Sequence, residues 1–243
     1  MSFQPVGAIL AATGATQPSQ SGEPDREARM AAERAKYYAA LRTRMAMTDA
    51  EDQALQAPRA LARAGVPVAA LRVLWRPDST AALEGARAWW AGDKRASPAL
   101  VLLGWVGVGK TVAAAWCARE WARGYPWNRL PTGSNQAPLV WLAGGHLREL
   151  SRFDAGAQQL LSELTRASLV VFDDSGREGD RRTIEALSDA LVERVDSRRL
   201  TVLTSNLRGV AFRARYGVAL ADRLRASAVV PRLTGASLRG VRP

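Results

Sequence analysis

The chain has 243 residues, of which 47% are hydrophobic, enough for one α/β domain with a buried core and a small additional segment. It contains no run of about 18 apolar residues, so no membrane span and no membrane partner are predicted. Its single cysteine excludes an internal disulfide, and the default compartment is therefore a reducing cytoplasm.

The net charge of +11 is concentrated near the C-terminus. Residues 197–243 carry ten arginines against one acid, Asp222, which gives this stretch a net charge of +9. A GC-rich genome would explain why the chain uses arginine instead of lysine. It would not explain why acidic residues are missing from 197–243. A positive charge concentrated in this way is typical of surfaces that contact nucleic acid phosphates, and we expect such contact here.

The N-terminal quarter divides into two segments by composition. Residues 1–24 are rich in Gly, Ser, Thr, Gln and Pro without periodicity, which predicts a disordered tail. Residues 25–66 are predicted to be a helical segment, because Met30, Tyr37 and Leu41 share one helical face. That face either packs on its own core or binds a partner. The remainder, 67–243, is predicted to be the main domain.

The main domain begins with a helix that Asp78 or Ser79 is predicted to cap. Strands and helices then alternate along the chain. The predicted strands cover residues 99–103, 139–142, 169–172, 200–204 and 228–233, and helices are predicted over 110–123 and 180–195. Such alternation predicts a parallel sheet that is covered by helices on both faces.

Residues 104–111 connect the first strand to a helix and read G-W-V-G-V-G-K-T, which matches the phosphate-binding pattern G-x-x-x-x-G-K-[ST]. The glycines allow backbone N–H groups to curl around phosphates, and the helix N-terminus adds its dipole. Lys110 supplies a mobile charge for the β- and γ-phosphates, and the Thr111 hydroxyl is suited to bind magnesium. The predicted ligands are therefore ATP and Mg²⁺.

Two carboxylates, Asp173 and Asp174, end the third predicted strand. The carboxyl end of that strand faces the same crevice as the phosphate loop. Asp173 is therefore predicted to hold magnesium together with Thr111, and Asp174 to orient or deprotonate the attacking water. Taken alone, an apolar run that ends in two acids could also be a simple turn.

Polar residues also follow the fourth and fifth predicted strands. Asn206 is placed to contact the γ-phosphate and the attacking water, although T-S-N could also be a turn or a helix cap. Arg223 either belongs to a basic surface or reaches a neighbouring subunit's ATP, and Arg239 is a candidate for the γ-phosphate of its own subunit. The predicted catalytic residues are Lys110, Asp173, Asp174, Asn206 and Arg223. The predicted nucleotide contacts are Gly104, Val106, Gly107, Val108, Gly109, Lys110, Thr111, Val112 and Arg239.

In order and spacing, these motifs resemble the DnaC/IstB branch of the AAA+ ATPases, which contains replicative helicase loaders and transposition helpers. The likeness runs from about Gly65 to Arg239. It comprises the phosphate loop, F-D-D-S-G at 172–176, T-S-N-L at 204–207, D-R-L-R at 222–225 and T-G-A-S-L-R at 234–239. The resemblance implies a five-stranded AAA+ core with a minimal C-terminal lid or none. It also implies ATP bound between protomers of a homo-oligomer and single-stranded DNA bound along it.

Two positions depart from the pattern of the family. Ala219 stands where helicase loaders often have an arginine that acts in the neighbouring subunit, so Arg223 becomes the candidate for that role. Asp174 stands where AAA+ ATPases usually have glutamate. The predicted ATP hydrolysis is therefore slow, and stimulated by DNA or by a partner protein.

The function that the resemblance implies is an ATP-dependent helicase loader of DnaC type, which binds single-stranded DNA and places a hexameric replicative helicase during DNA replication. Residues 25–66 would then bind the helicase. The alternative within the same branch is an IstB-type transposition helper, whose partner is a transposase. A P-loop kinase acting on a small molecule and a scaffold that binds ATP without hydrolysing it are further alternatives. The kinase does not account for two aspartates followed by T-S-N.

Overall fold

The computed structural model describes residues 30–40, 43, 56–74, 79–125, 138–144, 155–179, 181–234 and 237. Contacts divide the chain into two compact units, residues 1–50 and 51–243. In the first unit, residues 30–40 are helical and every one of them is exposed. The predicted tail, 1–24, lies outside the described residues.

The second unit begins with a helix over residues 56–63, which we number α1. The elements that follow are α2 (Val68–Val73), α3 (Ala81–Ala91), β1 (Ala99–Leu103), α4 (Lys110–Gly124), β2 (Leu139–Ala143), α5 (Ala155–Arg166), β3 (Leu169–Ser175), α6 (Arg181–Asp196), β4 (Leu200–Ser205), α7 (Gly209–Tyr216), α8 (Val218–Ser227) and β5 (Ala228–Val229). Among the described helices, none combines the length and the apolar character that crossing a membrane requires.

All five strands run parallel in one sheet, in the order β2-β3-β4-β1-β5. This confirms the predicted fold class, a parallel sheet between helices. In the described residues after β5, 230–234 and 237, no helix is present. The minimal lid stays a prediction. Because β3, β4 and β1 are neighbours, the residues that follow their carboxyl ends lie side by side.

Helices cover both faces of the sheet. On β1, Leu100 and Leu102 pack on the face that α1–α4 cover, whereas Ala99 and Val101 pack on the face that α5–α8 cover. This alternation follows from the pleat of a strand, in which successive side chains point to opposite faces. A strand that is buried on both faces must be apolar throughout, which explains the continuous apolar runs in the sequence.

The cap of α3 differs from the sequence prediction. Thr80 is its N-cap residue, and the Thr80 hydroxyl accepts a hydrogen bond from the backbone N–H of Leu83 at 3.1 Å. Ser79 therefore precedes the cap, and Asp78 lies outside the described residues. A side-chain cap of this kind stabilises a helix by about 1 kcal/mol.

The fifth strand is shorter than predicted. Its pairing with β1 ends at Val229 instead of continuing to residue 233. Pro231 has no backbone N–H to donate to a strand ladder, and this explains the early end.

Residues at the start of the second unit pack into the core. Ala57, Leu61 and Val66 are buried in the cluster between α1–α4 and the sheet. The predicted boundary at residue 66 therefore falls inside the unit 51–243.

Arg194 on α6 is buried on the face of the sheet that α5–α8 cover. Its guanidinium donates to the carbonyl oxygens of Leu164, Ala167 and Leu200 at 2.5, 2.8 and 2.5 Å, and to Thr201 Oγ1 at 3.2 Å. Burial lowers the pKa of Arg194 to about 9. These contacts connect α5, α6 and β4, and they provide acceptors for a cation that would be costly to bury alone.

Candidate nucleotide-binding site

The phosphate loop joins β1 to α4, and two of its glycines have left-handed backbone conformations. Gly107 and Gly109 have φ angles of 90° and 89°. A Cβ at Gly107 would collide with the side chain of Ser237, and a Cβ at Gly109 would lie 2.9 Å from Thr80 Oγ1. Both positions therefore require glycine, for backbone conformation and for space.

The loop ends at the N-terminus of α4, where Gly109 is the N-cap residue and supplies no side-chain hydrogen bond. The N–H groups of the first turn and the positive end of the helix dipole thus face the loop, which makes an anion site. Val108 is buried, and Val112 packs against the core. These two side chains hold the loop on the sheet.

Lys110 is buried, and its ammonium contacts two parts of the site. Lys110 Nζ donates to the carbonyl oxygens of Gly104 and Trp105 at 2.8 and 2.7 Å, and to Asn206 Oδ1 at 2.8 Å. The lysine therefore joins the phosphate loop to the residue that follows β4. Phosphate oxygens bound in the loop would compete with these acceptors for the ammonium.

Asp173 and Thr111 lie in contact at the end of β3. Thr111 Oγ1 and Thr204 Oγ1 donate to Asp173 Oδ1 at 3.0 and 2.6 Å. Burial raises the pKa of Asp173, the hydrogen bonds from Thr204 and Thr111 lower it, and the charge of Asp174 raises it again. Burial therefore disfavours the charged form of Asp173, and a cation bound beside the carboxylate would stabilise that form.

The donor set at Asp173 fits magnesium. A carboxylate beside a hydroxyl provides the hard oxygen ligands that Mg²⁺ prefers, and this ion takes its remaining ligands from waters and substrate phosphates. Within the described residues, no group of three His, Cys, Asp or Glu side chains forms an all-protein metal site. Asp173 and Thr111 are therefore the residues that would hold the ion.

A bulge at the end of β3 turns Asp174 towards the site. Phe172 pairs with Leu203, and the next pair is Ser175 with Ser205, so β3 has one residue more than β4 between the two pairs. Asp174 lies in the bulge with a left-handed φ of 55°. In a regular strand, two successive side chains would point to opposite faces. The extra residue instead lets both carboxylates reach one site.

Asp174 is held by contacts on both carboxylate oxygens. Asn206 Nδ2 donates to Asp174 Oδ1 at 2.6 Å, and Arg177 Nε pairs with Asp174 Oδ2 at 3.0 Å. The backbone N–H of Asp174 donates to Thr204 Oγ1 at 2.8 Å. A connected chain of polar contacts therefore runs from Lys110 through Asn206 and Asp174 to Arg177.

Three residues of this arrangement were not predicted as site residues: Gly144, Arg177 and Thr204. The N–H of Gly144 donates to the carbonyl oxygen of Asp173 at 2.8 Å, and a side chain there would collide with the carbonyl oxygen of Asp174. The sequence does contain signals for two of them. Gly144 belongs to a glycine pair that follows the second predicted strand, and Thr204 is a polar residue in an apolar strand. Arg177 gives no such signal in the sequence, because its ion pair with Asp174 depends on the conformation of the bulge.

The turn after Asp174 is anchored on α7 through Glu178. Glu178 Oε1 accepts hydrogen bonds from Gly176 N and Tyr216 Oη at 2.9 and 2.7 Å, and Glu178 Oε2 pairs with Arg215 Nε at 3.0 Å. Burial raises the pKa of Tyr216, and the Glu178 charge raises it further. This buried network fixes the backbone on both sides of Arg177.

An exposed cation–π contact borders the phosphate loop. The Trp105 side chain is exposed, and the guanidinium carbon of Arg208 lies 4.9 Å from the centroid of its ring. Val106, the next residue of the loop, is also exposed. Trp105–Arg208 is therefore a second contact between the loop and the segment after β4, in addition to the hydrogen bond from Lys110 to Asn206.

Arg223 lies apart from this site in its own chain. Arg223 Nε is 3.2 Å from Asp196 Oδ1 at the end of α6, and both side chains are largely exposed. Because α6 leads into the start of β4, Asp196 lies at the amino edge of the sheet, opposite the phosphate loop. A catalytic role for Arg223 therefore requires a neighbouring subunit and stays a prediction. Arg239 lies outside the described residues.

Comparison with solved structures identifies the fold. The crystal structure of DnaI superposes with a TM-score of 0.50 at 19% sequence identity, over 67% of this chain and 86% of DnaI. The two chains therefore share a fold, with a parallel sheet between helices. The resemblance to DnaC/IstB-type AAA+ ATPases is thus confirmed at the level of the fold.

Two other solved structures match with lower TM-scores. A DnaC helicase loader has a TM-score of 0.44 at 17% identity, over 65% of this chain and 93% of the loader. AMPPCP-bound DnaA from Aquifex aeolicus has a TM-score of 0.44 at 15% identity, over 62% of this chain and 45% of DnaA. No protein-family model and no curated protein matches the sequence.

Proposed function

We propose that this protein is an ATP-hydrolysing helicase loader of DnaC type, which binds single-stranded DNA and places a hexameric replicative helicase. The observation that carries the proposal is the connected site, in which Lys110, Thr111, Asp173, Asp174 and Asn206 meet beside the phosphate loop. The arginine-rich stretch, 197–243, supports contact with DNA, because phosphate contacts supply most non-specific affinity for nucleic acid.

Binding of ATP begins at the loop. Its backbone N–H groups and the N-terminus of α4 bind the phosphates, and the Lys110 ammonium leaves the carbonyl oxygens of the loop for the β- and γ-phosphates. Thr111 and Asp173 would hold a magnesium ion, which would neutralise charge on the phosphates. Burial of Asp173 strengthens this interaction, since water does not screen it.

Hydrolysis is assigned to Asp174 and Asn206. Asp174 orients the attacking water or accepts its proton, which is the role of a positioned carboxylate in general base catalysis. Asn206 contacts both Lys110 and Asp174, so it changes partners when phosphate draws the lysine away. The contact between Asn206 and Asp174 therefore depends on whether the γ-phosphate is present.

Assembly and partners complete the proposal. Because Arg223 lies at the edge of the sheet opposite the loop, a homo-oligomer in which one subunit's amino edge meets the next subunit's loop would supply it in trans. An IstB-type transposition helper would use the same site and differ in its partner, a transposase. A small-molecule kinase stays the less favoured alternative, since it gives no role to DNA.

The proposal is tested by ATP turnover and nucleotide binding of two variants. We expect Lys110→Ala to weaken binding of a fluorescent ATP analogue by roughly tenfold or more, because it removes a charge-assisted contact. Asp174→Asn should bind ATP normally and lower turnover by about 100-fold. Asparagine tolerates the left-handed conformation at this position, so folding is preserved.

Lys94→Ala is the matched control, because Lys94 contacts Trp90 and not the phosphate loop. Single-stranded DNA should raise the turnover of the wild type. Unchanged turnover in Asp174→Asn would remove the role assigned to that residue. If single-stranded DNA altered neither turnover nor oligomer formation, the loader and the transposition helper would both be rejected.

A further inference from the structure

The two oxygens of the Asp174 carboxylate are held by different parts of the chain. Oδ1 accepts from Asn206, which follows β4, and Oδ2 pairs with Arg177, which follows β3. The two contacts differ in their relation to ATP. Asn206 also accepts from Lys110, so the Asn206 contact changes when phosphate takes the lysine. Arg177 approaches the carboxylate from the other side.

The turn that carries Arg177 is fixed on both sides. Gly176 donates its N–H to Glu178 Oε1, and Glu178 is bound in turn by Arg215 and Tyr216 of α7. The Arg177 side chain is 63% exposed, but its backbone is held in place by this buried network. A guanidinium presented from a fixed turn holds its partner in one direction.

Asp174 needs such a partner because its backbone contacts do not fix the rotation of its carboxylate. The left-handed φ of 55° is one that aspartate tolerates, and the hydrogen bond from the Asp174 N–H to Thr204 holds the backbone there. The direction of the carboxylate is set by its side-chain contacts with Asn206 and Arg177. Without Arg177, the Asn206 contact, which changes when phosphate takes the lysine, would be left to hold the carboxylate.

We propose that Arg177 is a positioning residue for ATP hydrolysis, which keeps the Asp174 carboxylate directed at the attacking water. This inference rests on the proposed ATPase function. In this role Arg177 acts through Asp174 and contacts neither ATP nor the attacking water. The exposed ion pair contributes little to folding, so the consequence of losing it is a change in the rate of the chemical step.

The test compares kcat and KM for ATP in three variants, without DNA. We expect Arg177→Ala to lower kcat roughly tenfold while KM and nucleotide affinity change less than about twofold. Arg177→Lys should recover part of the rate, because it retains the charge but not the planar donor group. Arg181→Ala is the matched control, since it also removes an exposed ion pair, that with Glu185.

Two further measurements distinguish positioning from a merely structural role. The difference in kcat between wild type and Arg177→Ala should narrow as salt is raised, because an exposed ion pair is screened. The double variant Arg177→Ala, Asp174→Asn should be no slower than Asp174→Asn alone, because both changes act on one group. A double variant slower by the product of the two effects would overturn the inference.

The outcomes separate this inference from the proposed function. If the wild type hydrolyses ATP, Asp174→Asn is slow, and Arg177→Ala has the wild-type rate or a higher one, only the positioning role is rejected. If the wild type does not hydrolyse ATP even with DNA, the proposed function is rejected and the inference with it. Loss of nucleotide affinity in Arg177→Ala would also overturn the inference.

Discussion

At the scale of single residues, the hydroxyl of Thr204 connects the two carboxylates. It donates to Asp173 Oδ1 at 2.6 Å and accepts from the backbone N–H of Asp174 at 2.8 Å. Thr204 is itself buried. Because a hydroxyl has one proton, donating to Asp173 leaves its lone pairs for Asp174, and both contacts are satisfied together.

Replacing Thr204 separates the hydroxyl from the shape of the side chain. Thr204→Val keeps the shape but removes one of the two hydroxyl donors to Asp173, and it removes the acceptor of the Asp174 N–H. We expect a loss of about 1–3 kcal/mol in the free energy of unfolding, measured by urea denaturation, and slower ATP turnover. The pKa of Asp173 should rise further, because the Thr204 hydrogen bond lowers it. Thr204→Ser keeps the hydroxyl and should retain most of the free energy of unfolding and of the ATP turnover. Equal behaviour of the two variants would contradict this account.

At the scale of elements, the bulge of β3 depends on the end of β2. Gly144 donates its N–H to Asp173, and the Asp174 carbonyl oxygen occupies the space that a side chain would need. The bulge therefore requires a glycine directly after the neighbouring strand, β2.

Gly144→Ala tests this dependence. We expect the new methyl group to push β2 and the bulge apart, at a cost of about 1–3 kcal/mol in the free energy of unfolding. Turnover should fall while ATP affinity, which depends on the loop, is largely retained. Gly124→Ala is the control, because no atom lies within 4 Å of a Cβ at that position. If turnover and stability were the same in both variants, the bulge would not depend on Gly144.

The sequence predicts the elements better than their junctions. Apolar runs and the glycine-rich loop are local signals, so β1–β4 and the start of α4 are confirmed to within a few residues. The bulge is not predictable in this way, since it is a mismatch of register between β3 and β4 and depends on both strands. The partner of Arg177 follows from the bulge and was missed for the same reason.

The pair α7 and α8 was missed although a signal for it exists. Phe212, Tyr216, Leu220 and Leu224 are buried and recur every four residues, which is a helical spacing. Gly217, with a φ of 89°, divides this stretch into two helices. The glycine divides the period between two short helices, and the arginines between the apolar residues make it less evident in the sequence.

At the scale of the whole molecule, the exposed helix over residues 30–40 and the core unit 51–243 have separate tasks in the proposed function. Because Ala57 and Leu61 belong to the core of the second unit, we assign the proposed binding of a partner to the first unit, residues 1–50. We expect a chain lacking residues 1–50 to keep ATP binding and to lose its partner. Removal up to residue 66 should instead reduce stability, as it deletes core side chains.

The experiment uses the full chain and the chain lacking residues 1–50 as baits. Purified hexameric replicative helicase and purified transposase are offered in parallel. Retention of the helicase by the full chain alone supports the loader, whereas retention of the transposase alone supports the transposition helper. If the shortened chain retained the helicase equally well, residues 1–50 would not be the binding segment.

The contact between Trp105 and Arg208 makes the phosphate loop visible by fluorescence. The chain has eight tryptophans, and Trp105 is the one in the loop itself, with its ring exposed to solvent and beside a cation. Indole emission responds to solvent and to a nearby charge, so movement of either residue alters the signal. The emission difference between the wild type and Trp105→Phe isolates this single ring. The protein thereby carries its own optical probe, with which the proposed binding of unlabelled ATP can be tested and its kinetics followed.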